Sequence, residues 1–272
     1  MIVLWGICGL AAWAQPQGYN EQMGQAKSYF GQKEYAKAIE CYEKVVAELK
    51  GTAYESLIPS VRNSIAINNL YLGVAALKEK DYPVAKGFLE KAIVDAKPNS
   101  KTFYMANSWM GQWNSVQSHN IRTSRGDFQQ ALQLSLEAER YFDLAQAPEK
   151  RLKEQLSRAD ILSELSRGAE AEALLEKIMT ECEGIKDRSV ICGKAAFKLG
   201  SMEILSEKYQ TAISHLEKSY DLCNAGTTVD AKSYAYFCAD KLSRLFSSQI
   251  PDDNKAALWK QRANELEPQI AK

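Results

Sequence analysis

Residues 34–46, EYAKAIECYEKVV, set a thirteen-place pattern that returns five more times along the chain. The later copies are DYPVAKGFLEKAI from Asp81, DFQQALQLSLEAE from Asp127, RGAEAEALLEKIM from Arg167, KYQTAISHLEKSY from Lys208 and DDNKAALWKQRAN from Asp252. Alanine holds the fifth place each time, as Ala38, Ala85, Ala131, Ala171, Ala212 and Ala256, at separations of 47, 46, 40, 41 and 44 residues. Self-similarity at such a period implies units that bury a continuous core only by stacking.

The block reads as one amphipathic helix. Alanine at the fifth place lets two helix backbones approach, and Tyr35, Tyr82, Phe128 and Tyr209 at the second place fill the space beside a turn. Tyr42, Leu89, Leu175 and Leu216, one turn past the alanine, extend the same apolar face. Each block follows another amphipathic segment, predicted over 19–32, 57–79, 101–124, 148–165, 190–206 and 229–248. The links within a pair are short, so the two helices are antiparallel neighbours. Breakers separate the pairs at Gly51-Thr52, Lys97-Pro98-Asn99-Ser100, Ala147-Pro148, Glu183-Gly184 and Asn224-Ala225-Gly226, and Ile250-Pro251 breaks the chain within the last pair. No segment reads as a strand. The last block carries Lys260 at a place that is mostly apolar elsewhere, as a capping helix should.

These residues resemble tetratricopeptide repeats, most closely where Leu72-Gly73 precedes DYPVAKGF and Leu199-Gly200 precedes KYQTAISH. The spacings exceed that family's usual 34 residues, so longer helices or loops absorb the difference. The resemblance implies an all-α fold, an α-solenoid of about six helical hairpins forming a right-handed superhelix over 15–272. The hairpins are expected at about 19–50, 57–97, 101–146, 148–183, 190–225 and 229–268. It also implies a concave face lined by first helices, which places Met23, Lys27, Val74, Trp109, Trp113, Asn120, Asp160 and Ser201 as candidate binding residues. Chaperone-binding members of the family clamp a terminal carboxylate with Lys, Asn and Arg on that face. In the first three repeats here only Lys27 could contribute, which argues against chaperone-tail recognition.

Other classes find little support. Lys plus Arg equals Asp plus Glu, 34 each, so there is no electrostatic footprint for nucleic acid. His119 and His215 stand in different repeats, without metal-ligand spacing, and His215 holds a place taken elsewhere by Phe88, Leu134 and Trp259. No nucleophile elbow, phosphate loop or calcium loop occurs. Neither an enzymatic activity nor a cofactor or metal is expected. Residues 2–14, IVLWGICGLAAWA, are apolar, too few for a membrane span, and end in the small-x-small pattern of a cleavage site. They are read as a signal peptide, residues 1–14, with no membrane span in the mature chain and a periplasmic or secreted location.

The cysteines bear on that location. Cys182 and Cys223 each follow their block alanine by 11 residues, and Cys192 and Cys238 are read near the start of the next helix. Equivalent cysteines of stacked helices lie about 8–10 Å apart, too far to bridge. Cys182–Cys192 and Cys223–Cys238 are therefore the expected disulfides, a placement that resembles the cysteine-rich Sel-like repeat proteins and suits an oxidising compartment. The alternative is buried free thiols, and Cys41 is read as one. The third repeat carries Phe103, Tyr104, Trp109 and Trp113 among amides, a composition that serves either ligand contact or packing. Together these features predict a protein- or peptide-binding scaffold of the bacterial envelope that helps assemble a complex. The other two readings are a peptide-sensing part of a signalling system and a self-associating structural protein.

Overall fold

The computed structural model describes residues 18–182 and 189–270. The leader read at 1–14 and the Glu183-Gly184 connection lie outside the described residues. Among the described residues there are twelve α-helices and one short 3₁₀ turn, Glu55–Leu57, and no strand. The helices fall in order as six hairpins: α1 (Tyr19–Gly31) with α2 (Tyr35–Leu49), α3 (Ile58–Lys78) with α4 (Tyr82–Asp95), and α5 (Lys101–Thr123) with α6 (Phe128–Leu144). Then come α7 (Pro148–Glu164) with α8 (Gly168–Cys182), α9 (Ser189–Leu205) with α10 (Tyr209–Asn224), and α11 (Val229–Ser248) with α12 (Asp253–Ile270). The fold is an all-α solenoid of helical hairpins, as the repeat predicts.

The first place of each block immediately precedes its helix. Asp81 accepts a hydrogen bond from the Val84 amide at 3.2 Å, Asp127 from Gln129 at 2.8 Å, and Asp252 from Lys255 at 3.0 Å. Each carboxylate thereby satisfies an amide that the first turn leaves without a partner. The preceding helix closes in a matching way. Lys33, Lys80, Arg125, Ser166 and Glu207 all have φ between 52° and 62°. The residue after each donates its amide to the carbonyl five back, as Asp81 does to Ala76 and Arg167 to Leu162. This is the Schellman closure, held five times by a residue other than glycine. Its repetition fixes the turn between the two helices of a hairpin.

The helices of each hairpin cross where small residues meet. Twelve or thirteen places before the block alanine stand Ala26, Gly73, Ser118, Ala159, Gly200 and Ser243. A Cβ on Gly73 would meet Leu89 Cγ at 2.9 Å, and one on Gly200 would meet Leu216 Cγ at 3.0 Å and the Ala212 carbonyl at 3.1 Å. In the two serine repeats the hydroxyl instead donates to the alanine carbonyl, Ser118 to Ala131 at 2.8 Å and Ser243 to Ala256 at 3.0 Å. A buried hydroxyl so placed has its hydrogen bond made at the crossing itself.

The chain divides into two compact bodies, one ending at Trp113 and including Leu144–Gln146, the other formed by Asn114–Asp143 and the chain from Ala147. The core of the first includes Ala38, Val45, Leu49 and Ile65, with Cys41 buried among them as a free thiol. The second holds two clusters. One joins α6 to α9 through Leu152, Ile161, Leu175 and Ile178; the other joins α10 to α12 through Leu216, Leu242, Phe246 and Trp259. On the closing helix Trp259 packs edge-on to Tyr220 at 5.1 Å, with the Arg262 guanidinium 4.3 Å over its ring, while Lys260 faces solvent.

Gly200→Val forces branched carbons against Leu216 and the Ala212 carbonyl. We expect it to destabilise the protein by about 1–3 kcal/mol, read as a lower urea midpoint. A midpoint equal to the parent's would show that the crossing has room.

Candidate functional site

In the second body the first helices α7, α9 and α11 lie side by side, and between them opens a cavity of about 500 Å³. Its floor is apolar, with Leu156 from α7 and Val190 and Ile191 from α9. Its walls are charged: Glu149, Lys153 and Asp160 from α7, Lys194 and Lys198 from α9, and Asp230 with Tyr234 from α11. A concave pocket of a few hundred Å³ with an apolar floor and convergent polar groups is the ordinary form of a binding site.

The charges are cross-linked between repeats. Arg122 of α5 donates to Asp160 at 2.9 Å, and Lys198 of α9 bonds the other oxygen of the same carboxylate. Lys194 bonds Asp230 of α11 at 2.5 Å and lies 4.9 Å over the Tyr234 ring. Burial pushes the Tyr234 phenol above its ordinary range, and the Asp230 and Asp160 carboxylates push it the same way. Lys153 pairs within its own helix with Glu149 at 2.5 Å. Beyond Tyr234 the α9–α11 seam becomes aromatic: Phe197 packs edge-on to Tyr234 at 5.3 Å, Phe237 lies 6.4 Å from Phe197, and Lys241 sits 5.6 Å over the Phe197 ring.

Of the predicted binding residues, Asp160 lines this cavity. Ser201 is half-buried and donates its hydroxyl to the Phe197 carbonyl at 2.7 Å, and Asn120 is exposed near the end of α5. The other five lie in the first body. Met23 packs against its core, Lys27 is exposed, and Val74 and Trp109 are half-buried. Trp113 donates its indole N–H to the Tyr82 carbonyl at 2.8 Å, with the Lys86 ammonium 5.4 Å over the ring. That bond ties α5 to α4. Arg122, Lys198, Asp230 and Tyr234 were not among the sequence candidates. A signal for three of the charges exists: Arg122, Asp160 and Lys198 follow one another at intervals of 38 residues with alternating sign.

The cysteine pairing divides. Cys182 and Cys192 form a disulfide, their Cα atoms 5.9 Å apart. Cys223 and Cys238 do not; both are buried free thiols, which corrects the second expected bridge. Cys192 is the fourth residue of α9, next to the connection, whereas Cys238 is the tenth residue of α11, several residues too far along the helix to meet Cys223. Its thiol instead donates to Ser219 at 3.0 Å, one turn back from Cys223. Burial raises the thiol of Cys223 to about 11 and that of Cys238 to about 12. Both should therefore resist iodoacetamide at pH 8 in the native protein and react on unfolding, as peptide mass mapping would show. Native labelling at either site would contradict their burial.

Between α5, α6 and α7 a separate polar group is sealed from solvent. Glu154 is 3% exposed, beside the fully buried Ser135, and one oxygen of Glu154 and one of Gln155 are buried without a hydrogen-bond partner among the described residues. Burial raises the Glu154 carboxyl above the ordinary range, with Glu139 acting the same way and Ser115, Ser135 and Arg158 opposing. The folded state thus holds this proton more tightly than the unfolded chain does. The stability it contributes is full below the unfolded carboxyl range and is lost as pH rises through the folded value. Glu154→Gln fixes the neutral form, so it should melt above the parent at pH 8 and approach it near pH 4. A gap that is constant with pH would contradict the upward shift of the Glu154 carboxyl. Among the described residues no group of three or more His, Cys, Asp or Glu is placed to hold a metal ion, and no helix is long and apolar enough to cross a membrane.

No protein-family model matches the sequence, and no curated protein matches it. Among solved structures the chain is similar to BtubC (BKLC) from P. vanneervenii, with a TM-score of 0.53 and 13% identity over 93% of this chain and 92% of that one. It also matches the C-terminal part of a TPR repeat-containing protein from Cytophaga hutchinsonii, with a TM-score of 0.44 and 16% identity over 90% and 95%. For pilF of Pseudomonas aeruginosa the TM-score is 0.40, with 13% identity over 93% of each chain. The array of helical hairpins, with small residues at each crossing, is like BtubC in fold.

Proposed function

We propose that the protein is a non-enzymatic scaffold that binds a segment of a partner protein or a peptide in the α7–α9–α11 cavity, and that it helps assemble a complex at the bacterial envelope. The cavity carries this reading. It is concave, apolar at its base, and walled by side chains from three successive repeats, so an extended chain crossing it meets a new set of contacts at each helix. The envelope location is supported by the apolar, A-x-A-terminated leader in the sequence and by the Cys182–Cys192 disulfide, which persists in oxidising compartments.

Screening the mature protein against a random heptapeptide array tests the binding reading. We expect retained peptides whose affinity falls roughly ten-fold or more in a Lys194→Ala, Lys198→Ala double variant of parental melting temperature. An array that retains nothing, or peptides held equally by the double variant, would remove the cavity as a binding site. Fractionation of tagged full-length protein tests the location: recovery in the cytoplasm with the leader intact would overturn it.

A further inference from the structure

We infer that the cavity selects acidic segments, and that Asp160 and Asp230 occupy its cations in the free protein as built-in competitors for the ligand's carboxylates. The inference rests on the peptide-binding reading and adds to it the chemistry of the ligand and a control on affinity.

The charges at the cavity are unequal in number. Arg122, Lys194 and Lys198 face two carboxylates, Asp160 and Asp230, while Lys153 is matched by Glu149 on its own helix. Asp160 therefore carries two cations. One of them can leave without stranding a charge, and the geometry says which. Lys198 lines the cavity, has a flexible four-carbon stem and is 23% exposed; Arg122 bonds Asp160 from α5 and does not line it. If Lys198 turns to a ligand carboxylate, Asp160 remains neutralised by Arg122. No buried charge is left alone, which is the usual cost of breaking such a pair.

Lys194 has the same freedom by another route. Its partner Asp230 is 60% exposed, so water solvates that carboxylate when the lysine departs. The two lysines are one helical turn apart on α9, and both line the cavity. They can take two neighbouring carboxylates, or both oxygens of one. The sign of the surplus disfavours a basic segment, since among the described residues each carboxylate that lines the cavity is already paired with a cation. The adjoining seam defines the rest of the ligand: Phe237 is 46% exposed beside Phe197, and Lys241 over the Phe197 ring has no carboxylate partner among the described residues. An apolar side chain flanked by acidic residues places its ring or methyls on the two phenylalanines and a further carboxylate near Lys241.

The test uses fluorescence anisotropy with a labelled heptapeptide of four acidic residues around one phenylalanine, and with the same peptide carrying amides for carboxylates. We expect the acidic probe to bind the mature protein roughly ten-fold more tightly, with a preference that shrinks as salt rises. Lys198→Ala should remove most of that preference. Asp160→Asn and Asp230→Asn should act in the opposite direction, tightening the acidic probe several-fold and leaving the amide probe unchanged. Asp230 is exposed and among the described residues bonds only Lys194, so its variant keeps the test decisive should Asp160→Asn lower the melting temperature. Equal binding of the two probes, or weaker acidic binding by Asp230→Asn, overturns the inference while leaving peptide binding intact. Failure of every peptide in the array, the amide probe included, overturns the peptide reading itself.

Discussion

The structure depends on the distance at which the two helices of each hairpin cross. That distance is set by a pair of small residues, one on each helix. Where the first helix carries glycine, as at Gly73 and Gly200, even a Cβ would press on a leucine and on the backbone opposite. Where it carries serine, the hydroxyl reaches the alanine carbonyl across the gap. Close crossing brings larger residues into contact on either side, so Leu89, Leu175 and Leu216 are fully buried. Because every hairpin is closed in this way, each presents a similar face to its neighbour, and stacking follows.

The block alanine was legible because it recurs in fixed phase with an apolar face. Its partner was legible only at Leu72-Gly73 and Leu199-Gly200; alanine and serine fill the same role elsewhere and look like ordinary helix residues in a sequence. Helix limits were readable to within a residue or two, because the first place of each block is the helix cap and in four of the six repeats the residue before it closes the previous helix. The cysteines show the limit of phase arguments. Cys182 and Cys223 do hold equivalent places, yet their partners lie ten and fifteen residues on, and at 1.5 Å per residue the difference is more than a turn of helix. Spacing along a following helix, not occurrence near it, decides which thiols meet.

The cavity was the least legible part. Its walls come from helices of successive repeats, and the contacts that matter run sideways between them, between residues 36 and 38 apart. The pattern in the blocks repeats at 40 to 47 residues. A search in phase with the blocks therefore finds the core and misses the charged ladder. The Trp113 indole of α5 is held by the Tyr82 carbonyl, while the Phe237 ring of α11, a helix with as many aromatic residues, stands nearly half exposed.

These two layers differ in what they tolerate. At the crossings the backbone itself is the neighbour, and a single added carbon has nowhere to go. On the first-helix face the side chains are long, partly solvated and paired by charges that water can replace. Substitution there alters which charges are available without altering how hairpins stack. A fold of this kind can hold its core fixed while the α7–α9–α11 surface changes its preference, because the residues that set stacking and the residues that set recognition sit on different faces of the same helices. Gly200 and Lys198 make the point at closest range: two positions apart on α9, one meets Leu216 across the crossing and the other bonds Asp160 across the cavity wall.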